Sequence, residues 1–149
     1  LATDAANFDG YYLYLTARSG GEDHDKIWFT RSTDQGVTWE TEYTIAELEF
    51  VDRDYVYPQV AYGFNAKIHV VWEFRDESGF LDKAIRYSVA ENYAGNGAGS
   101  WGSIQYLTPN SDGFDEEDPL IAASPIGNEI LIAYHSGPTG IYPNIDIMH

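Results

Sequence analysis

The chain repeats itself at a spacing of about sixty residues. The segment YPQVAYGFNAKIHVVWEF (57–74) aligns with DPLIAASPIGNEILIAYHS (118–136), and Pro58 and Pro119 occupy equivalent places, 61 residues apart. A period of several tens of residues is typical of repeat proteins, in which each unit is one supersecondary structure. The repeat therefore constrains the fold more than any other feature of this sequence.

Each repeat unit is predicted to contain four short antiparallel strands. Alternating and β-branched runs recur between clusters of Gly, Pro, Asn and Asp, while the helical spacing of apolar residues is nearly absent. The unit 51–110 contains all four strands, at 57–62, 68–74, 84–89 and 102–108. The unit 1–50 is expected to lack its first strand, and the unit 111–149 its last. We thus predict a single all-β domain.

An eight-residue motif, STDQGVTW (32–39), lies between the predicted third and fourth strands of the first unit. Five of its residues match the pattern Ser-x-Asp-x-Gly-x-Thr-Trp: Ser32, Asp34, Gly36, Thr38 and Trp39. The chain therefore resembles the Asp-box, or BNR-repeat, β-propellers of the sialidase superfamily. The resemblance implies propeller blades of four antiparallel strands, of which a closed propeller has roughly four to eight. About two and a half blades are then expected here, as a partial propeller of a secreted protein, extracellular or periplasmic.

Local physical chemistry explains the motif as a structural turn. Asp34 can accept hydrogen bonds from the N–H groups of its own turn, Gly36 can adopt a positive φ, and Trp39 can fill an apolar gap beside the sheet. In an up-and-down blade this turn lies opposite the loops that join the second strand to the third and one unit to the next. We therefore expect any chemistry to reside in those opposite loops.

The opposite loops are rich in acidic residues, and three interpretations of them stay open. The simplest is that they are solvated, charged loops. The second is a Ca²⁺ site in the segment 110–118, because Ca²⁺ takes roughly six to eight oxygen ligands from carboxylates and carbonyls. The candidate ligands are Asp112, Asp115, Glu116 and Asp118. The sequence requires no other cofactor.

The third interpretation is glycoside hydrolysis, which the resemblance implies. Sialidases hold a substrate carboxylate with an arginine cluster and use a Tyr activated by a Glu as nucleophile, with an Asp as acid and base. Arginine suits this capture because its guanidinium binds carboxylates in a bidentate manner. The candidates here are Arg18, Arg53 and Arg75 for the carboxylate, with Asp54 as an acid. Most catalytic residues of such an enzyme would lie outside this segment.

Composition excludes several classes of partner. The chain has 24 acidic and 8 basic residues, for a formal charge of -16, which repels phosphate backbones and anionic lipids. We therefore expect no nucleic acid and no membrane partner, and the lack of cysteine excludes disulfides and thiolate metal sites. The predicted function is a scaffold that binds carbohydrate or protein. The alternatives are part of a sialidase-like exo-glycosidase and a structural module that self-associates through unpaired blade edges.

Overall fold

The computed structural model of the protein describes residues 2–4, 12–19, 26–48, 53–76, 82–91, 100–138 and 144–148. These residues form three antiparallel sheets and one 3₁₀ turn at Phe64–Ala66. Over these ranges there is no α-helix, and nothing helical that is long and apolar enough to cross a membrane. The predicted all-β class is thereby confirmed.

The first sheet has four strands in the order β1-β2-β3-β4. They are β1 (Ala2–Asp4), β2 (Tyr12–Ser19), β3 (Lys26–Ser32) and β4 (Tyr43–Glu47). The expectation that the unit 1–50 lacks its first strand is wrong, because β1 pairs antiparallel with β2. A three-residue strand is too short to show an alternating pattern, so only its pairing reveals it.

The second sheet has the order β5-β6-β7-β8, and β9 also pairs with β7. Its strands are β5 (Arg53–Gly63), β6 (Lys67–Asp76), β7 (Ala84–Glu91), β8 (Ser100–Trp101) and β9 (Gln105–Tyr106). In place of the single fourth strand predicted at 102–108, there are two short strands: β8, just before this range, and β9, within it. The link between them stays attached to β7, since the Gly102 N–H donates to the Val89 carbonyl at 2.8 Å.

The third sheet has the order β10-β11-β12. Its strands are β10 (Phe114–Ala123), β11 (Ile130–Pro138) and β12 (Asn144–Met148). Both β10 and β12 pair antiparallel with β11. In the described part of the unit 111–149, the sheet therefore has three strands.

A β-bulge recurs at the same place in the second and third sheets. The ladder shifts register around Pro58 in β5 and around Pro119 in β10. The preceding residues, Tyr57 and Asp118, have positive φ angles of 50° and 52°. Such angles are uncommon outside glycine, and proline has no N–H to give to a ladder. Both bulges thus accommodate a proline inside a strand that continues on either side.

The bulges change the predicted strand boundaries. Because pairing resumes before each proline, β5 begins at Arg53 and β10 begins at Phe114. The sequence pattern instead predicts that the first strand of the second unit begins at Tyr57 and that the segment 110–118 is a loop. Arg53 and Asp54, like the acidic residues 115–118, therefore lie in strands.

Two apolar clusters pack the three sheets face to face. The first joins the first and second sheets through Ile27, Phe29, Ala46, Leu48, Tyr55, Val60, Ile68, Val70, Trp72, Phe74 and Ala90. The second joins the second and third sheets through Val71, Ile85, Tyr87 and Ile132, with Ile121 and Ile130 packed against it. The even-numbered apolar residues of β6 thus face the first sheet, while Val71 faces the third, as strand alternation requires. The second sheet is buried on both faces.

Candidate functional site

A groove of about 330 Å³ opens where one end of the first sheet meets the second sheet. Its walls come from the end of β4 and from β5, β6, β7 and β9. The lining residues are Glu47, Leu48, Arg53, Tyr55, Phe74, Arg86, Tyr106 and Asn110. Small-molecule sites usually have roughly 300 to 1,000 Å³, so the groove is large enough for a compact ligand.

Arg86 is the buried cation of this groove, with only 2% of its surface exposed. Its Nη1 donates hydrogen bonds to the carbonyl oxygens of Ile85 at 3.2 Å and Thr108 at 3.1 Å. Within the described ranges, no carboxylate forms an ion pair with it. Burial lowers the pKa of Arg86. Glu116 acts on this guanidinium electrostatically and raises its pKa in turn, but without the contact of an ion pair. Because a buried charge is costly when no carboxylate contacts it, an anionic or strongly polar group in the groove would stabilise Arg86.

Aromatic rings surround the Arg86 guanidinium. Its central carbon lies 4.2 Å from the ring centroid of Tyr106 and 5.0 Å from that of Phe74. Tyr55 packs edge-on against Phe74 at 6.2 Å. These distances are typical of cation–π and edge-to-face contacts. Such contacts hold the guanidinium in place without neutralising its charge. Tyr106 is 72% exposed, so most of its surface is open to a ligand.

Arg53 is the sequence-predicted candidate that lies in the groove. Its guanidinium carbon is 6.0 Å from the Phe74 ring centroid. The sequence prediction omitted Arg86, because it considered loop residues rather than strand residues. A signal was present: Arg86 interrupts the run AIRYSVA (84–90), where a cation is unusual for a strand buried on both faces.

Arg75 lies on the other side of the second sheet. It forms an ion pair with the fully buried carboxylate of Glu73, and its guanidinium carbon is 5.0 Å from the Tyr57 ring centroid. The second carboxylate oxygen of Glu73 accepts the backbone N–H of Asp118 at 3.0 Å. Burial raises the pKa of Glu73. This cluster therefore connects the second sheet to the third.

The predicted arginine cluster is not assembled in the described residues. Arg53 pairs with Asp76 across the β5–β6 ladder, and the next residue, Asp54, pairs with Arg75. Consecutive residues of a strand face opposite sides, so Arg53 and Arg75 are separated by the sheet. Arg18 lies in β2, and its side chain is outside the described part of the chain.

Each of the four acids predicted to bind Ca²⁺ has a separate contact within the protein. The partners are the Phe114 N–H for Asp112 (3.1 Å), the Lys83 N–H for Asp115 (3.1 Å), the Ser136 hydroxyl for Glu116 (3.3 Å) and the His135 imidazole for Asp118 (3.7 Å). Among the residues that the structure describes, no three His, Cys, Asp or Glu side chains are grouped as metal ligands. These contacts connect β10 and the turn before it to neighbouring residues.

The turn STDQGVTW (32–39) is held by hydrogen bonds within itself. Asp34 Oδ1 accepts the Ser32 hydroxyl and the Thr38 N–H, both at 2.8 Å, and Oδ2 accepts the Thr38 hydroxyl at 2.6 Å. The Ser32 hydroxyl accepts the Gly36 N–H at 2.7 Å, and Gly36 has a φ of 88°. The bonds from Thr38, and then the bond from Ser32, lower the pKa of Asp34. The polar groups of the turn thus have local uses, as expected of a structural element.

Trp39 does not fill a buried gap, contrary to expectation, because it is 41% exposed. The tryptophan that packs between the first and second sheets is Trp101. Its ring lies edge-on to Phe29 at 5.3 Å and stacks on Tyr43 at 6.3 Å. Pairing of β8 with β7 places Trp101 opposite Ala90, whose side chain faces the first sheet. Trp39 and Trp101 are therefore one repeat apart in the sequence but differ in burial.

A second cavity, of about 160 Å³, lies between the second and third sheets. Two buried residues in its wall, His69 and Tyr87, are joined by a 2.7 Å hydrogen bond between Nδ1 and the phenol oxygen. Burial, with a smaller effect of Lys67, lowers the pKa of His69 to about 4. Burial raises the pKa of Tyr87 to about 12. Gly63 abuts the imidazole, since a Cβ there would lie 2.7 Å from Nε2.

Comparison of the chain with protein-family models, curated proteins and solved structures finds no match. In the groove with Arg86, a buried cation, an exposed aromatic ring and a volume sufficient for a ligand occur together. Its function has to be argued from this geometry.

Proposed function

We propose that the chain forms blades of an Asp-box β-propeller and binds carbohydrate in the groove beside Arg86. Three features support the propeller: successive antiparallel sheets packed face to face, a bulge that recurs at the same place in two of them, and the Asp-box turn. Radial repetition of such sheets is the propeller architecture. Carbohydrate binding is the function that we assign to this scaffold.

The single observation that carries the binding proposal is the buried guanidinium of Arg86 among aromatic rings. Sugars present an apolar face that stacks on aromatic rings, and Tyr106 offers such an exposed ring. Their hydroxyl and carboxylate oxygens accept hydrogen bonds, and Arg86 has guanidinium N–H groups beyond the one that bonds the carbonyls. The groove is concave and has a volume of about 330 Å³. It therefore suits a small saccharide better than it suits a protein partner, which would bind a larger and flatter surface.

The test is a glycan array followed by calorimetry on the best ligand. Tyr106→Ala should weaken binding about tenfold, because a stacking surface worth about 1.4 kcal/mol is lost. Arg86→Met should weaken it further while keeping the side-chain volume. Phe114→Ala is the matched control, since Phe114 is an exposed aromatic residue outside the groove. Binding that survives Tyr106→Ala and Arg86→Met unchanged would exclude the groove.

A sialidase-like exo-glycosidase is the second candidate, and the position of Arg53 in the groove favours it. In that case the groove holds the carboxylate of an acidic sugar. Hydrolysis of a fluorogenic sialoside should then be measurable and should disappear with Arg53→Ala. Saccharide binding without any hydrolysis would support the binding scaffold instead.

A further inference from the structure

We propose that the cavity between the second and third sheets is a second binding site, which takes a small protonated amine. The cavity has a volume of about 160 Å³ and shares no lining residue with the groove beside Arg86. One wall comes from β6, β7 and the turn Phe64–Ala66, and the other from the turn 124–129 and the start of β11. An apolar cavity of about 150 Å³ in another protein holds benzene, so this one is large enough for a ligand of about four to eight heavy atoms.

The charged groups at this cavity favour a cation. Lys67 and Glu129 both line it, but the Lys67 ammonium lies 3.3 Å from a carboxylate oxygen of Glu91 and is already paired. Within the described ranges, Glu129 forms no ion pair. One ammonium and two carboxylates leave a net negative charge, which a cationic ligand would balance. The formal charge of -16 on the whole chain also raises the local concentration of cations.

Two glycines provide the space that two polar side chains of the cavity occupy. A Cβ on Gly127 would collide with the carboxylate of Glu129, and a Cβ on Gly63 would lie 2.7 Å from Nε2 of His69. Glu129 is exposed, so its carboxylate lies at the entrance of the cavity, against the backbone of Gly127. His69 is 6% exposed and lies deeper, against Gly63. A larger residue at either position would displace the polar group beside it.

The buried pair of His69 and Tyr87 retains an acceptor for an N–H group of the ligand. The pKa of His69 is lowered to about 4 by burial, so the imidazole is neutral near pH 7. If the Tyr87 phenol donates in the hydrogen bond between them, its oxygen keeps a lone pair; if Nδ1 donates, Nε2 keeps one. An ammonium group donates to either. The stacked rings of His69 and Tyr87, together with Phe64, also offer aromatic surface, which attracts cations.

Hydrogen bonds hold together the two turns that form the entrance. The Phe64 N–H donates to the Ser124 carbonyl at 3.0 Å, and the Ser124 N–H donates to the Glu129 carbonyl at 2.9 Å. The Ser124 hydroxyl accepts the Gly127 N–H at 3.1 Å. The ligand therefore does not have to order these turns when it binds. Because so small a ligand makes few contacts, we expect a dissociation constant on the order of 1 mM.

Titration of the protein with n-propylammonium chloride tests the proposal, with the NMR signals of the His69 and Tyr87 rings as the readout. Near neutral pH the amine is protonated and His69 is neutral. The ring signals should shift and saturate with a dissociation constant on the order of 1 mM. At equal ionic strength, 1-propanol and sodium propionate are the neutral and anionic comparisons. Neither should give a saturable shift in the same concentration range.

Two substitutions test the role of the carboxylate at the entrance. Glu129→Gln removes the charge and should raise the dissociation constant about fivefold, since an ion pair that is partly exposed to water is weak. Gly127→Ala keeps the charge but displaces the carboxylate, so it should have a similar effect. Gly127 does not have a positive φ, and alanine is therefore compatible with its backbone. Glu42→Gln is the matched control, because Glu42 is an exposed carboxylate outside the cavity, and it should leave the dissociation constant unchanged.

Saturable shifts that Glu129→Gln and Gly127→Ala both weaken would support the proposal. Shifts of equal size with 1-propanol, or larger shifts with propionate, would overturn the assignment of a cation. The absence of any saturable shift would also overturn the proposal, since the cavity would then hold only water. Saccharide binding in the groove beside Arg86 is measured separately, so either site can fail without the other.

Discussion

His69 is held as a neutral imidazole between Tyr87 and Gly63, and this burial makes folding sensitive to acid. The pKa of His69 is about 4 in the folded protein, against an ordinary value of 6.5. As the pH falls from 6.5 to about 4, the unfolded chain binds this proton and the folded chain does not. The free energy of unfolding should therefore decrease over this window, by on the order of 3 kcal/mol in total. Urea denaturation at several pH values measures the decrease.

Carboxylates also titrate in acid, so the effect of His69 has to be isolated by substitution. His69→Gln keeps a polar group beside the Tyr87 phenol and removes the imidazole. The variant should lose less stability than the unsubstituted protein between pH 6.5 and 4. His135→Gln is the control, since His135 contacts Asp118 at the protein surface, outside the cavity. Equal pH dependence of His69→Gln and the unsubstituted protein would contradict the prediction.

Ser32 stabilises the turn at 32–39 through two hydrogen bonds of its hydroxyl group. It is fully buried, donates to Asp34 and accepts the Gly36 N–H. Ser32→Ala leaves that N–H without its acceptor and should lower the free energy of unfolding by about 1 to 2 kcal/mol. Thermal melting should show a decrease of roughly 3 to 6 °C. Thr33→Ala, at an exposed neighbouring position, should change the melting temperature little.

The turn between β5 and β6 places two residues other than glycine at positive φ. Asn65 and Ala66 have φ angles of 56° and 58°. Asn tolerates this region, whereas Ala is strained there by about 1 kcal/mol. Ala66→Gly should remove the strain and, after the entropy of the unfolded chain is subtracted, stabilise the protein by about 0.5 kcal/mol.

The control for this element is Ala61→Gly in the middle of β5. Ala61 is buried and has an ordinary extended backbone, so glycine should destabilise there by about 1 kcal/mol. Guanidinium denaturation of both variants measures the two effects. Destabilisation by Ala66→Gly would show that the turn gains nothing from a residue that tolerates positive φ.

For the molecule as a whole, Glu73 is a fully buried polar connection between the second and third sheets. Its carboxylate pairs with Arg75 and accepts the Asp118 N–H of β10. Glu73→Ala leaves both partners without their acceptor and should cost about 3 kcal/mol of stability. Hydrogen exchange at the Asp118 amide should accelerate as β10 loosens from the second sheet.

Glu73→Gln separates the two contributions of this side chain. The amide oxygen can still accept the Asp118 N–H, while the ion pair with Arg75 is lost. Gln should therefore destabilise less than Ala, and exchange at Asp118 should stay close to that of the unsubstituted protein. If Gln and Ala give the same loss, the hydrogen bond to β10 contributes nothing and the ion pair accounts for the whole effect.

The sequence could predict features that depend on local pattern, and it missed those that depend on pairing. Alternation and the 61-residue spacing were sufficient for the all-β class and for three repeated units. The short strand β1 carried no pattern, and the strands before Pro58 and Pro119 were taken for loops, because a bulge interrupts alternation.

For the candidate site, too, the sequence predicted what depends on local pattern and missed what depends on strand pairing. The sequence prediction considered arginine and acidic residues of predicted loops. It therefore included Arg53, which lies in β5, and omitted Arg86 of β7. Arg53 and Arg75 were expected on one surface, but the parity of the β5–β6 ladder puts them on opposite faces of the second sheet. Parity across a bulge depends on which residues pair, and a single sequence does not record that.

What the sequence determined by itself is the period of the repeat, the all-β class and the self-contained turn at 32–39, since these features depend on residues close together along the chain. Only the tertiary structure decided that Arg86 is buried with no ion pair to any carboxylate of the described residues, and that Trp101 rather than Trp39 packs between sheets. Whether a side chain of a sheet is buried depends on which other sheet packs against that face. In this protein the residues that cover one another come from different repeats, far apart along the chain.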